Sequence, residues 1–415
     1  MRRVRAFDYL RQYKNIEDKV LSGINTVLNS GSLILGEQVK KFENGFTNYL
    51  GNEGYSIAVN SGTDALVVAL RALNIGYGDE VITVSNTAVP TVSAIRIVGA
   101  IPVFCDVEES TALIRIDQIK EVLTKNTKAI IPVHLYGNVV DIDEIKKITA
   151  GKGIYIIEDC AQAIGSKINN KMVGTLADIS AFSFYPTKNL GAYGDAGLCF
   201  SKDLILANKM REIRMYGFDE NNISKVEGIN SRMDEIQAAI LNVKLEHLDS
   251  YILKRIELAK EYNKLLKPNI IRFSKSVNSR HSYHLFVIRV KNRDIVRKKL
   301  SDAGIDTGIH YKCPIHLMSG YEFLGYSKDS LPITESLSGE LISLPIYPEL
   351  TSVILLDNYN ISNKPIFIQS KTYNGNVGFH LYFPVYKDSS LMLSLIHISE
   401  PTRLLSISYA VFCLK

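Results

Sequence analysis

The chain has 415 residues, 46% of them hydrophobic and 22% charged, with 48 Lys and Arg against 43 Asp and Glu for a net charge of +5. These values fit a folded protein of two domains, or one large domain with an appendage, and exclude a disordered, collagen-like or disulfide-stapled chain. A charge so near balance, with no Lys/Arg cluster, argues against nucleic acid as a partner. The opening Met1-Arg2-Arg3-Val4-Arg5 is followed by polar residues, not by an apolar segment, and no run is long enough to cross a bilayer. The expectation is a cytoplasmic protein with no membrane partner. Cys105, Cys160, Cys199, Cys313 and Cys413 include no Cys-x-x-Cys pair, so the thiols are expected reduced and no metal site is indicated.

In chain order, short apolar runs alternate with helix-length segments: strands at Ser56–Val59, Val81–Val84, Pro102–Cys105, Ala129–Val133 and Ile154–Ile157, with amphipathic helices at Asp64–Leu73 and Asp141–Thr149. This alternation predicts an α/β domain on a largely parallel sheet, whose ligands gather at the carboxyl ends of the strands. One long helix is predicted from Ser231 to about Leu266, stopped by Pro268. A strand at Ser282–Val290 and a helix at Asp294–Ala303 then indicate a smaller α+β region.

Three segments carry chemistry. Asn60-Ser61-Gly62-Thr63-Asp64 follows a strand and opens a helix, so free N–H groups and the positive end of the helix dipole meet at a spot suited to phosphate. Gly62 would let the anion approach the backbone and Thr63 would add a hydroxyl. The alternative is a plain capped helix start, with Thr63 or Asp64 as the cap. Glu158-Asp159 ends a buried strand with its side chains on opposite faces, so one of them looks into the crevice. A buried Asp159 needs a protonated ring nitrogen, an Arg or a metal; its alternative role is a helix cap. In Ser183-Phe184-Tyr185-Pro186-Thr187-Lys188-Asn189-Leu190-Gly191, Lys188 sits between a strand and a glycine-punctuated turn. A desolvated amine there can form a Schiff base, and Ser183 can donate to a phosphate. The alternative is an exposed loop lysine.

Taken in order, these segments resemble the pyridoxal-phosphate-dependent sugar aminotransferases of the DegT/DnrJ/EryC1/StrS family. The resemblance runs from about Phe7 to Leu350 and includes Ser30-Gly31 through Ile34-Leu35-Gly36, Pro132-Val133-His134-Leu135-Tyr136-Gly137, Glu158 through Gln162, Gly228 through Glu235 and Ser343 through Pro348. It implies an aspartate-aminotransferase-like α/β fold. Residues 1–249 would form a large domain with a mostly parallel seven-stranded sheet flanked by helices, and residues 250–350 a smaller α+β domain. It also implies pyridoxal 5'-phosphate as cofactor. Lys188 would hold it covalently and serve as general base, Asp159 would pair with its pyridinium nitrogen, and Gln162 would face its phenolic oxygen. Gly62, Thr63 and Ser183 would hold its phosphate, with Asn230 reaching in from the neighbouring subunit of a homodimer. His310 and Tyr311 resemble the family's sugar-side loop.

By the same resemblance, the substrates are a nucleotide-linked keto sugar and glutamate, serving polysaccharide, O-antigen or other glycan biosynthesis. The run from Tyr185 to Gly191, followed by Gly194-Asp195-Ala196-Gly197, resembles enzymes acting at C3 of a 3-keto sugar more than those acting at C4 of a 4-keto sugar. A cofactor-binding regulator is the non-catalytic alternative. Many relatives carry an aromatic residue where Ala88 stands, so stacking on the cofactor ring would be reduced.

Residues 351–392 lack the helical periodicity that would finish the smaller domain and read either as native sequence or as the product of a frameshift. Residues 393–415, from Leu393-Ser394-Leu395-Ile396-His397-Ile398-Ser399-Glu400-Pro401-Thr402-Arg403 onward, resemble a translated sequencing adapter and are set aside.

Overall fold

The structure, a computed structural model, describes residues 3–266 and 270–350, with the backbone of strands Ile354–Leu355, Ile366–Tyr373, Asn376–Lys387 and Ser390–Ser399. The readings of residues 351–392 and 393–415 otherwise lie outside the described residues. Two compact units divide the chain: Met1–Ala259 with Asn269–Glu349, and Lys260–Pro268 with Leu350–Lys415. In the second, the four strands pair in chain order as an antiparallel sheet.

The first unit opens with helices α1 (Tyr9–Ser30) and α2 (Glu37–Leu50). Then come β1 (Tyr55–Val59), α3 (Gly62–Ala72), β2 (Glu80–Val84), α4 (Val89–Ile97), β3 (Ile101–Cys105), α5 (Ile119–Val122), β4 (Thr127–Ile130), α6 (Ile142–Thr149) and β5 (Tyr155–Asp159). The short β6 (Lys167–Ile168) and β7 (Lys171–Met172) precede β8 (Ile179–Ser183), β9 (Gly197–Ser201) and α7 (Leu204–Ile213). The central sheet has seven strands in the order β1-β9-β8-β5-β4-β2-β3. Only β9 runs against its neighbours, β1 and β8; the other pairs are parallel.

Both faces of this sheet are buried, which is why its strands read as continuous apolar runs. Successive residues nonetheless part to opposite faces. Ala58, Ile82, Ile130, Ile156 and Phe182 join one apolar cluster with Phe42 and Phe46 of α2, whereas Ile57, Val81, Ala129, Ile157 and Ala181 join another with α3 and α4.

The helix expected from Ser231 to Leu266 is two helices, α8 (Glu235–Leu245) and α9 (Leu248–Leu265). Neither Gly nor Pro marks the break at Glu246-His247, so the apolar spacing alone runs across it. Further on, β10 (Ile271–Arg272), β12 (Phe286–Arg289) and β13 (Leu341–Leu344) form an antiparallel sheet near α10 (Arg293–Asp302), within the same compact unit. Between β10 and β12, β11 (Ser279–Arg280) joins β6 and β7.

Segments distant in sequence meet at the start of α8. Glu235 turns its carboxylate onto the N–H groups of Gln38 and Val39, each at 2.8 Å, and so caps α2 from outside. A Cβ on Gly36 would lie 2.9 Å from that carboxylate, so the approach requires glycine. Cys105, Cys160 and Cys199 are buried and unpaired, and no described helix is long and apolar enough to cross a membrane.

Candidate active site

A cavity of about 240 Å³ opens at the carboxyl ends of β2, β5 and β8, where an α/β sheet presents ligand sites. Gly62, Thr63, Asp159, Ser183 and Lys188 all line it. At the start of α3, Ser61 is the cap: its hydroxyl accepts from Asp64 N at 3.1 Å and its carbonyl from Ala65 N at 2.9 Å. The capping alternatives read from the sequence, Thr63 and Asp64, therefore give way to Ser61. Only Ser61 has the extended backbone that turns a side chain back over the first turn. The N–H groups of Gly62 and Thr63 keep no partner among the described residues and, with the helix dipole, favour an anion. Gly62 is required by close packing, because a Cβ there would stand 2.6 Å from that of Ser183.

Glu158 and Asp159 do part to opposite sides. Glu158 is fully buried and accepts from Gly174 N at 2.9 Å and Leu176 N at 2.8 Å, with His134 Nε2 at 3.0 Å. His134 Nδ1 accepts from Val140 N at 3.0 Å, so the imidazole is neutral and its Nε2–H donates to Glu158. Burial pushes the Glu158 carboxyl up, but His134 and the backbone donors outweigh it and hold it below its usual range. Asp159 instead faces the cavity. Its Oδ2 accepts from Thr91 Oγ1 at 2.8 Å and its Oδ1 from Ala161 N at 3.1 Å. A turn follows it, so Asp159 caps no helix.

Lys188 lies in the turn between β8 and β9. Its backbone N–H donates to Tyr185 O at 2.8 Å, and Ala192 N donates to Phe184 O at 2.7 Å. The turn is held from behind by α8: Gln237 accepts from Tyr193 N at 3.0 Å, while buried Lys244 donates to the Gly191 carbonyl and lies 4.9 Å over the Tyr193 ring. Lys188 keeps partial exposure through the cavity it lines. Enclosure by protein nevertheless pushes its amine down to about 8, against the opposing pull of Asp159.

The remaining expected residues are placed as follows. Gln162 Oε1 accepts from Tyr136 N at 2.8 Å, and its amide donates to the Tyr311 hydroxyl, also at 2.8 Å. His310 Nδ1 lies 2.7 Å from Ser343 Oγ, and enclosure, then the nearby Lys188 charge, push its imidazole down to about 4. Tyr136 donates to the His310 carbonyl. Asn230 is exposed and lies outside the cavity, although its neighbour Ser231 donates to Asp64 Oδ2 at 2.7 Å. Sequence reasoning missed Thr87, Thr91 and Ser343 as parts of this network. A Thr in the first turn of the helix after a central strand was the available signal for Thr91.

A model of the DegT/DnrJ/EryC1/StrS aminotransferase family matches residues 14–354. The chain is 41% identical over 354 residues to a dTDP-3-amino-3,4,6-trideoxy-alpha-D-glucose transaminase of Micromonospora megalomicea subsp. nigra, covering 83% of this chain and 94% of the relative. It is 41% identical over 351 residues to a pleiotropic regulatory protein of Geobacillus stearothermophilus, covering 84% and 94%. The crystal structure of S. venezuelae DesV in complex with a ketimine intermediate superposes with a TM-score of 0.82 at 38% identity, covering 84% of this chain and 95% of that one.

Proposed function

Since the chain belongs to the DegT/DnrJ/EryC1/StrS aminotransferase family, we propose that it moves the amino group of glutamate to C3 of a nucleotide-linked keto sugar. Pyridoxal 5'-phosphate is its cofactor, and when bound it supplies the electron sink for the charge left as a proton departs from carbon. The cavity suits that group. It offers free N–H groups and hydroxyls at Gly62, Thr63 and Ser183 for a phosphate, a carboxylate at Asp159 for a ring nitrogen, and the amine of Lys188. The observation that carries this reading is the convergence of that amine and that carboxylate in one cavity with a helix N-terminus.

Lys188 Nζ would hold the cofactor and, once freed, would take the proton from the donor carbon and return one to the sugar carbon. Asp159 would pair with the ring nitrogen and favour its protonated form. Gln162, with one amide hydrogen committed to Tyr311, has the other to give to the ring oxygen. His310, kept neutral, and Tyr311 meet the sugar. Asn230, exposed on its own subunit, reaches the phosphate site of a second copy in a homodimer. The setting is cytoplasmic synthesis of amino sugars for surface polysaccharide, O-antigen or glycosylated metabolites.

The C3 assignment is supported by the segment from Tyr185 to Gly197 and by the 3-amino product in the name of the Micromonospora relative. Incubation with glutamate and dTDP- or UDP-linked 3-keto and 4-keto sugars, followed by NMR of the product, tests it. Nitrogen at C3 is expected; nitrogen at C4 would move the enzyme to the other branch. Cofactor binding without any amino sugar would favour a regulatory role, such as the name of the Geobacillus relative states.

Because burial lowers the proton affinity of the Lys188 amine, its attachment to the cofactor is expected to depend on pH near neutrality. At pH 7 about one amine in ten is neutral if it titrates near 8, against about one in three thousand for an unperturbed lysine. The rate of cofactor attachment to the apoprotein, followed by absorbance, is therefore expected to rise about tenfold per pH unit below 8 and to level off above it. The same shift makes the penalty of burying the charged amine constant below pH 8. That penalty is relieved as pH climbs toward the ordinary lysine value, so this group adds stability to the apoprotein over that window.

A further inference from the structure

Thr91 is 1% exposed in the first turn of α4, whose cap position is Ala88, a residue with no side-chain oxygen. A buried hydroxyl must find a partner, and this one points across the cavity floor to Asp159 rather than to its own helix. Its oxygen lies 2.8 Å from Asp159 Oδ2 and 3.0 Å from Thr87 Oγ1. Ionised, the carboxylate can only accept, so the single Thr91 hydrogen goes to Asp159. Thr91 is then an acceptor toward Thr87, and Thr87 must supply the hydrogen between them. The direction of the whole chain follows: Thr87 O–H to Thr91 O–H to the Asp159 carboxylate.

Two residues before Thr87, the end of the strand is anchored. Ser85, just past the end of β2, accepts from His316 N at 3.0 Å and lies 2.8 Å from His316 Nδ1. The other ring nitrogen, Nε2, lies 3.1 Å from Glu335 Oε1; a carboxylate only accepts, so Nε2 supplies the hydrogen of that bond. Ser85 is 1% exposed, so this Ser–His–Glu set anchors the strand end and offers no nucleophile to a substrate.

We propose that Thr91 is a positioning residue for the aminotransferase reaction. It terminates a directed hydrogen-bond chain that orients the Asp159 carboxylate, with one acceptor direction of each oxygen filled and one left for the cofactor nitrogen. Oδ2 receives Thr91 and Oδ1 receives Ala161 N, so both remaining directions are set by the protein. Held in this direction by two donors, the carboxylate is set to meet a ring N–H with good geometry, and a carboxylate free to turn away would meet it poorly. The inference rests on the reading that Asp159 pairs with the ring nitrogen.

The test uses holoenzyme carrying ring-¹⁵N pyridoxal phosphate. Thr91→Val removes the donor at nearly constant shape, and Thr91→Ser keeps it. In Thr91→Val the ring ¹⁵N resonance is expected to move from the protonated toward the neutral position, with cofactor affinity several-fold weaker and the glutamate half-reaction about 10- to 50-fold slower. Thr91→Ser is expected to stay within about threefold of wild type, and Thr87→Val to show a smaller shift of the same sign. Equal thermal midpoints for the two Thr91 variants would show that folding is not the cause. A wild-type ¹⁵N position in Thr91→Val, whatever its activity, would overturn the proposal. An unchanged resonance in Asp159→Asn would remove the pairing on which it rests, and the proposal with it.

Discussion

Replacing Lys188 with alanine is expected to lower the rate of the glutamate half-reaction by about 10⁴-fold or more and to remove the absorption band of the lysine-linked cofactor. On the proposed reading, two functions leave with one amine: the covalent hold and the base that moves the proton. The surrounding turn should survive. It is built from backbone bonds at Tyr185–Lys188 and Phe184–Ala192 and is braced by Gln237 and Lys244, none of which uses the Lys188 side chain. Lys188→Arg separates charge from chemistry. A guanidinium keeps the positive charge beside Asp159 but stays protonated, so it is expected to be as inactive as alanine. Stopped-flow absorbance with glutamate checks both. Near-normal half-reaction rates in either variant would place the base elsewhere.

Asp159→Asn is expected to cost about 10²- to 10³-fold in the same half-reaction, with a smaller loss of cofactor affinity. The amide has nearly the shape of the carboxylate, and its oxygen can still accept from Thr91. What disappears, on the proposed pairing, is the negative charge that would keep the ring nitrogen protonated, and with it the strength of the electron sink. Because a carboxylate prefers a protonated ring and an amide does not, added exchangeable proton donors should not rescue the variant. Replacing the cofactor by an N-methylated analogue, whose ring charge is permanent, should restore part of the rate.

Much of the fold was legible because the sheet is buried on both faces. Runs such as Ile156-Ile157 and Val81-Ile82 can only be strands that meet apolar cover on either side. The break between α8 and α9 was not legible, since Glu246-His247 carries no helix-breaking residue and the apolar spacing continues through it. At the site, the cavity gathers Gly62, Thr63, Asp159, Ser183 and Lys188, residues named from motifs at the ends of strands. Their supports escaped notice for a physical reason. Thr91 reaches Asp159 across 68 positions of sequence, and His316 reaches Ser85 across 231, so only the folded chain reveals these bonds. The cap falls two positions before Thr63 and three before Asp64, a point the sequence leaves open, because Ser61 and Asp64 are good caps, Thr63 nearly as good, and the choice among them depends on backbone angles.

Adding glutamate to the purified protein loaded with pyridoxal phosphate, and recording the near-visible spectrum, tests the account most directly. The expected result is a lysine-dependent band that glutamate bleaches and that returns when a nucleotide-linked 3-keto sugar is added. A band that glutamate leaves unchanged, in protein that binds the cofactor through Lys188, would contradict the proposed reaction with that donor.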